Sequence, residues 1–261
     1  MRQSLVIGLL TTSFLGTLAG ADPAKGSTAQ EIVAQSDLVR NPVQSFETVT
    51  TLTEYVSGRQ RSQEELAVYS KLDLATRQYR NLVQYLAPPR DAGKRVLLGG
   101  GALWFYDPAS KASVRISPQQ RLVGQAAIGD VLTVNFAVDY SAKLLGDETV
   151  ADAERRQRHC WHLELKAADD QATYARAEYW IEEGSHYPIK ARFYSDSGRA
   201  LKIAYYRHFV QRLGRLRPSE VVIIDAVDTS LATIASLHDS KFRDVPDIWF
   251  QRDYLPRLDA R

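Results

Sequence analysis

Apolar side chains return at every second position through most of this chain, and that spacing leaves little room for anything but antiparallel sheet. Phe46–Val56 alternates apolar with polar or threonine side chains, the pattern of a half-buried strand. Residues 66–70 and 79–85 repeat it on either side of a polar turn at 73–76, which makes them a hairpin. Two apolar runs, 95–98 and 103–106, flank the triple glycine 99–101 and read as a second, tighter hairpin, and a short strand at 114–116 follows Asp107-Pro108. Beyond residue 160 the alternation resumes at 161–165, 174–182, 189–194, 199–209, 220–228 and 231–237. About ten strands of this kind predict a mainly β fold, an incomplete antiparallel β-barrel covered by a few short helices.

Three segments break the period. Thr28, with Glu31 three residues on, forms a capping box ahead of Ile32, Val33 and Val39, so residues 28–40 are expected to be an amphipathic helix stopped by Asn41-Pro42. Between Ser117-Pro118 and Tyr140 the spacing of Leu122, Val123, Ala126, Ala127, Val131, Leu132, Val134 and Phe136 predicts one or two short helices, broken at Gly129-Asp130. Trp249, Phe250, Tyr254 and Leu255 predict a last helix within 246–258. Residues 22–261 show no linker or internal repeat, and a single domain is expected.

Arg2, the apolar run 5–18 and Ala19-Gly20-Ala21 read as a secretory signal peptide over residues 1–21. The run is shorter than the roughly 18 residues of a membrane span, and no second candidate follows. A cysteine at the cleavage point would mark a lipid anchor, but Cys160 is the one cysteine, so the mature chain is expected to be soluble and periplasmic. A formal charge of +2 is too weak a bias to argue for nucleic acid. With no second cysteine for a disulfide, stability must come from apolar burial, with Cys160 a small buried hydrophobe.

The sequence offers no catalytic constellation. His159-Cys160-x-His162 places its three side chains on both faces of a strand, where they cannot converge on one metal ion. No Gly-x-Ser-x-Gly elbow or partnered nucleophile occurs, and the triple glycine lacks the Lys-Ser/Thr of a phosphate loop. No enzyme activity, metal or cofactor is expected. What stands out instead is a supply of aromatic side chains on the strands, more than three short helices can obviously cover.

Several motifs together resemble one family: Pro89-Arg90-Asp91-Ala92-Gly93-Lys94, Leu103-Trp104-Phe105-Tyr106-Asp107-Pro108, Arg121-Leu122 with Gly129-Asp130, and Asp139-Tyr140. Tyr179-Trp180-Ile181, Pro188-Ile189-Lys190 and Gly198-Arg199-Ala200-Leu201-Lys202 extend the match, which spans roughly residues 28–256. The chain is similar to the LolA-like outer-membrane lipoprotein-sorting proteins, and especially to the branch associated with inner-membrane exporters. That resemblance implies an eleven-stranded half-barrel, as in LolA and LolB, that holds the acyl chains of a lipid or lipoprotein as it crosses the periplasm. The implied partners are an inner-membrane exporter and an outer-membrane acceptor, with the carrier itself a monomer. Arg90 is the candidate lid or polar contact because its surroundings match the branch, against the alternative of a solvated turn residue. A second function fits the same fold, a periplasmic sensor or interaction module that binds a partner protein.

Strand parity then nominates cavity-lining side chains: Trp104 with Tyr106, Trp161 with Leu163 and Leu165, Tyr179 with Ile181, Ile189 with Phe193, and Leu201 with Ile203 and Tyr205. Parity alone leaves open which face is concave at residues 103–106, where both sides are apolar.

Overall fold

The computed structural model describes residues 27–258. The expected leader, residues 1–21, lies outside the described residues. Thr28 caps α1 (Ala29–Arg40) as its sequence requires: the Glu31 amide donates to Thr28 Oγ1 at 3.2 Å and the Thr28 amide to the Glu31 carboxylate at 2.7 Å. The helix buries Ile32, Val33, Ser36, Asp37 and Val39.

The chain then runs through six strands joined by successive hairpins: β1 (Phe46–Val56), β2 (Arg59–Leu72), β3 (Tyr79–Ala87), β4 (Arg95–Gly99), β5 (Ala102–Asp107) and β6 (Ala112–Arg115). A two-stranded ribbon, β7 (Arg121–Val123) and β8 (Ala126–Ala127), leads into two single-turn helices, α2 (Ile128–Val131) and α3 (Phe136–Asp139). The second run follows: β9 (Tyr140–Ala151), β10 (Gln157–Ala167), β11 (Arg176–Glu182), β12 (Pro188–Tyr194), β13 (Ala200–Arg212), β14 (Arg215–Asp225) and β15 (Leu231–Phe242).

All strands but the ribbon form one thirteen-stranded antiparallel sheet of order β6-β5-β4-β3-β2-β1-β15-β14-β13-β12-β11-β10-β9. Its seam is the pairing of β1 with β15, where Phe46 opposes Phe242 and Val56 opposes Leu231. Each run climbs outward from that seam, so β6 and β9 end as the two outer edges and the sheet stays open. The peptide that joins β6 to β9 must therefore cross the open side. The connectivity thus turns residues 116–139 into a cover.

The register places one row of side chains on the concave face, from Leu163 through Tyr179, Ala191 and Ala204 to Ile223. Alanines at the middle of the row leave space where larger side chains would fill it. Helix α1 packs over one half of this face, with Ile32 and Val33 against Leu163, Tyr179, Phe193 and Tyr206. Truncating a fully buried side chain of this cluster, such as Leu163, to alanine removes on the order of 2–5 kcal/mol.

The outer face of the first six strands is covered by the chain's end. Val245, Phe250, Leu255 and Leu258 pack on Tyr69, Leu82, Leu97 and Tyr106. The expected terminal helix is instead two 3-10 turns, Asp247–Phe250 and Arg252–Arg257, the second carrying Pro256. Arg95 holds this segment by donating to the Leu255 and Leu258 carbonyls at 2.7 and 2.5 Å. Gly99 permits the contact, since a Cβ there would stand 2.8 Å from the Phe250 carbonyl oxygen. Among the described residues no helix is long and apolar enough to cross a membrane.

Candidate functional site

The cover is amphipathic along its length. Val123, Ala126, Ile128 and Leu132 turn inward and join Leu52, Leu66, Val83 and Ile223 of the sheet. A small set of polar contacts fastens it. Lys202, on the concave side of β13 and nearly buried, donates to Asp130 Oδ2 at 2.5 Å and to the Gln125 carbonyl at 2.8 Å. The Tyr174 hydroxyl donates to Asp130 Oδ1 at 2.7 Å, and the Ala127 amide to Asp130 Oδ2 at 2.7 Å. Asp130 thus gathers three donors in a place where an unpaired carboxylate would be costly. Gly129 beside it has no room for a Cβ, which would run into the Thr173 side chain.

Farther along, Asn81 on β3 brackets Thr133, accepting from its amide at 3.0 Å and donating to its carbonyl at 2.9 Å. Asn41 and Arg40, at the end of α1, both donate to the Val134 carbonyl, at 2.8 and 3.1 Å. Asp37 accepts the Ala137 amide at 2.8 Å and pairs with Arg40 at 2.5 Å, while the Arg40 guanidinium lies 4.0 Å over the Phe136 ring. Helix and cover are fastened to each other as well as to the sheet.

Beneath the cover lies a cavity of about 150 Å³ with Leu52, Val68, Ala204, Val221, Ile223 and Ala235 in its floor and Leu132, Val134 and Phe136 in its roof. A second, wider cavity of about 600 Å³ opens between the cover, the β4–β5 turn and the loop at 169–171. Leu132, Val134, Asp139 and Thr173 line both, so the cover is the partition between the two spaces. A largely apolar space of about 150 Å³, partly open to solvent, accommodates a molecule the size of benzene.

Asp139, at the end of α3, lines both spaces. Burial pushes its carboxyl up to about 6, with Asp169 and Asp37 adding to the effect and the Gln78 hydrogen bond, 2.7 Å, opposing it. The folded state therefore holds this proton more tightly than the unfolded chain. The resulting stabilisation is fully present below about pH 4 and is lost as pH rises through 6, a change on the order of 2–3 kcal/mol. Amide exchange across residues 128–139, corrected for intrinsic rates, is expected to accelerate over that window in the wild type and to stay flat in Asp139→Asn. Equal profiles would remove Asp139 from the cover's energetics.

The residues nominated by parity divide between the two faces. Leu163, Leu165, Tyr179, Ile181 and Phe193 are in the concave cluster beneath α1, with Trp161 and Leu201 packed against it. Among them Phe193 reaches the cavity wall. Trp104 and Tyr106 lie on the outer face under the terminal segment, and Leu103 and Phe105 take the concave side. Ile189 shares the parity of Phe193 but packs with Cys160 and Trp180 on the other face. A bulge sets it aside: Ile181 opposes Pro188 and Trp180 opposes Lys190, which leaves Ile189 as the extra residue. Ile203 and Tyr205 alternate with Lys202, Ala204 and Tyr206, which line the cavity, and so face outward. Arg90 is an exposed turn residue paired with Asp91 at 3.0 Å, and the Asp91 carboxylate is held below its usual range chiefly by Lys94. Neither cavity is lined by it.

Of the fastening residues, Asp130 and Lys202 enter the sequence reading only as parts of the resembling motifs, and Asn81 does not enter it. The signal for Asn81 and Lys202 is a polar side chain at an inward position of a strand, as in Asn81 between Tyr79 and Val83. His162, for its part, stacks on Trp180 at 4.5 Å and 11°.

Comparison with known proteins places the architecture. The chain is 32% identical to a LolA superfamily protein of Nitrosomonas europaea, with a TM-score of 0.78 over 88% of this chain and 100% of that one. A domain of Vibrio parahaemolyticus named for outer membrane lipoprotein sorting superposes with a TM-score of 0.73 at 19% identity, covering 88% of this chain and 98% of its own. A DUF1329 family protein of Desulfovibrio piger gives 0.73 at 16% identity over 87% and 97%. A family model described as an uncharacterized protein family matches residues 77–257. No curated protein matches the chain.

Proposed function

Because this chain belongs to the LolA superfamily, we propose that it is a soluble periplasmic carrier that takes up the acyl chains of a lipid or lipoprotein between its sheet and its cover. The observation that carries this reading is the largely apolar cavity roofed by a segment strung between the two open edges of the sheet and held by a few polar contacts. Such a cover can lift without breaking a strand pairing of the main sheet. The driving force is ample: at about 0.8 kcal/mol per CH₂, a chain of about sixteen carbons gains on the order of 13 kcal/mol by leaving water. Release needs a partner that binds the lipid or the open cover better, an exporter on the donor side or an acceptor on the other. The role is one of binding and transfer, without catalysis.

Purification from a bacterial periplasm without detergent, followed by lipid extraction and mass spectrometry, tests the reading. Near-stoichiometric acyl lipid or lipopeptide is the expected result. Protein free of lipid, and unable to take any up from vesicles, would move the assignment to a protein-binding module of the same fold.

A further inference from the structure

One end of the cavity carries two cationic side chains with no carboxylate partner among the described residues. The β13–β14 hairpin brings Arg212 and Arg217 to the cavity wall beside Leu213 and Pro218. Arg217 is 3% exposed and donates only to carbonyls: Val39 at 2.7 Å, Arg212 at 3.1 Å, Leu38 at 3.2 Å and Leu213 at 3.3 Å. Arg212 donates to the Pro218 and Leu237 carbonyls at 2.8 and 3.0 Å, and its Nε is buried with no hydrogen-bond partner. Among the described residues neither arginine forms an ion pair. Asp37, near the same end of α1, is already held by Arg40.

Burial, with Arg212 and Arg215 nearby, pulls the Arg217 guanidinium down to about 10, and burial alone lowers Arg212. Carbonyl dipoles solvate such cations but do not neutralise them, and two like charges held partly out of water are costly. A purely apolar ligand would leave that cost in place. An oxyanion would remove it and give Arg212 Nε an acceptor through charge-assisted hydrogen bonds.

We propose that the Arg212–Arg217 end of the cavity binds the acidic head group of the carried lipid, a phosphate or carboxylate, so that the ligand is an anionic amphiphile with its acyl chain directed toward Ala204. The proposal rests on the carrier reading above and narrows its ligand. The β13–β14 turn suits a fixed recognition point, since Leu213 and Gly214 sit at φ 48° and 80°, the left-handed geometry of a tight hairpin turn.

The test is a binding titration of the full mature chain with three probes: palmitoyl lysophosphatidylglycerol, the neutral monopalmitoylglycerol, and inorganic phosphate alone. The wild type is expected to prefer the anionic lipid by about tenfold or more, as one charge-assisted hydrogen bond predicts. Arg212→Gln should bring the ratio of the two affinities close to one, and Arg212→Lys, which keeps the charge, should retain most of it. Equal affinities in the wild type would overturn the head-group assignment and leave the carrier reading standing. Failure of both lipids to bind would overturn both. Inorganic phosphate binding as tightly as the anionic lipid would show a free-anion site and also overturn the proposal.

Discussion

Ala204→Phe is expected to abolish lipid binding while leaving the protein folded. Ala204 is 4% exposed, lies in the floor of the small cavity, and stands opposite Ala191 on β12 and Ile223 on β14. A benzyl group there points into a space of about the size that one benzene fills. Overpacking of this kind costs roughly 1–3 kcal/mol. For a chain of this length each kcal/mol lowers the melting temperature by about 2–4 °C, so the fold survives with a depression of about 2–12 °C. Lipid mass spectrometry should find the variant empty, with circular dichroism unchanged in shape. Stoichiometric lipid in a folded Ala204→Phe protein would place the acyl chain elsewhere, first of all in the wider cavity beyond Leu132 and Val134.

The second large effect falls on the cover itself. Asp130→Ala removes the acceptor of the Lys202 ammonium, the Tyr174 hydroxyl and the Ala127 amide at once, and leaves Lys202 only the Gln125 carbonyl. Removing one partner of a buried pair costs about 3–5 kcal/mol because the other is left charged and dry. Asp130 belongs to the cover and Lys202 to the sheet, so that cost is relieved by local opening. Hydrogen exchange over residues 121–139 should speed up by about a hundredfold or more, and strands β10–β14 should stay protected. Replacing both partners with apolar residues of similar size, Asp130→Leu with Lys202→Met, should restore most of the protection, since no charge is then buried alone. Acceleration throughout the sheet would mean that Asp130 supports the whole fold.

Both predictions turn on residues whose roles were unevenly legible. Period-two spacing delimits β1 at Phe46–Val56, and the capping box places α1 within one residue, because local chemistry decides both. It reads fewer strands than exist: β9 escaped notice because it is an exposed edge whose spacing is interrupted at Gly146. Which face of β5 turns inward is fixed from far away, by the terminal segment that covers Trp104 and Tyr106. The bulge at Ile189 is equally invisible to parity. Residues 117–140 carry apolar side chains where they meet the sheet and follow no helical face, so the expected helices shrink to single turns beside a ribbon. Gly129-Asp130 reads as a break in sequence, yet it is the best-anchored point of the cover.

The placement of the seam also sets the order in which the molecule can assemble. Every strand pairing within the two runs links neighbours in sequence, whereas β1 meets β15 across the longest separation in the protein, as Thr48 and Ser240 show at 192 residues apart. Closing so large a loop is the slow event in forming this sheet. Until β15 arrives, β1 presents the free edge of a threonine-rich, β-branched strand, the kind of surface on which chains pair with one another. A polypeptide made from its N-terminus onward keeps that edge unsatisfied until β15, the last strand of the sheet, has been delivered. Newly made chains are therefore most vulnerable to aggregation at the centre of the finished sheet and not at its borders.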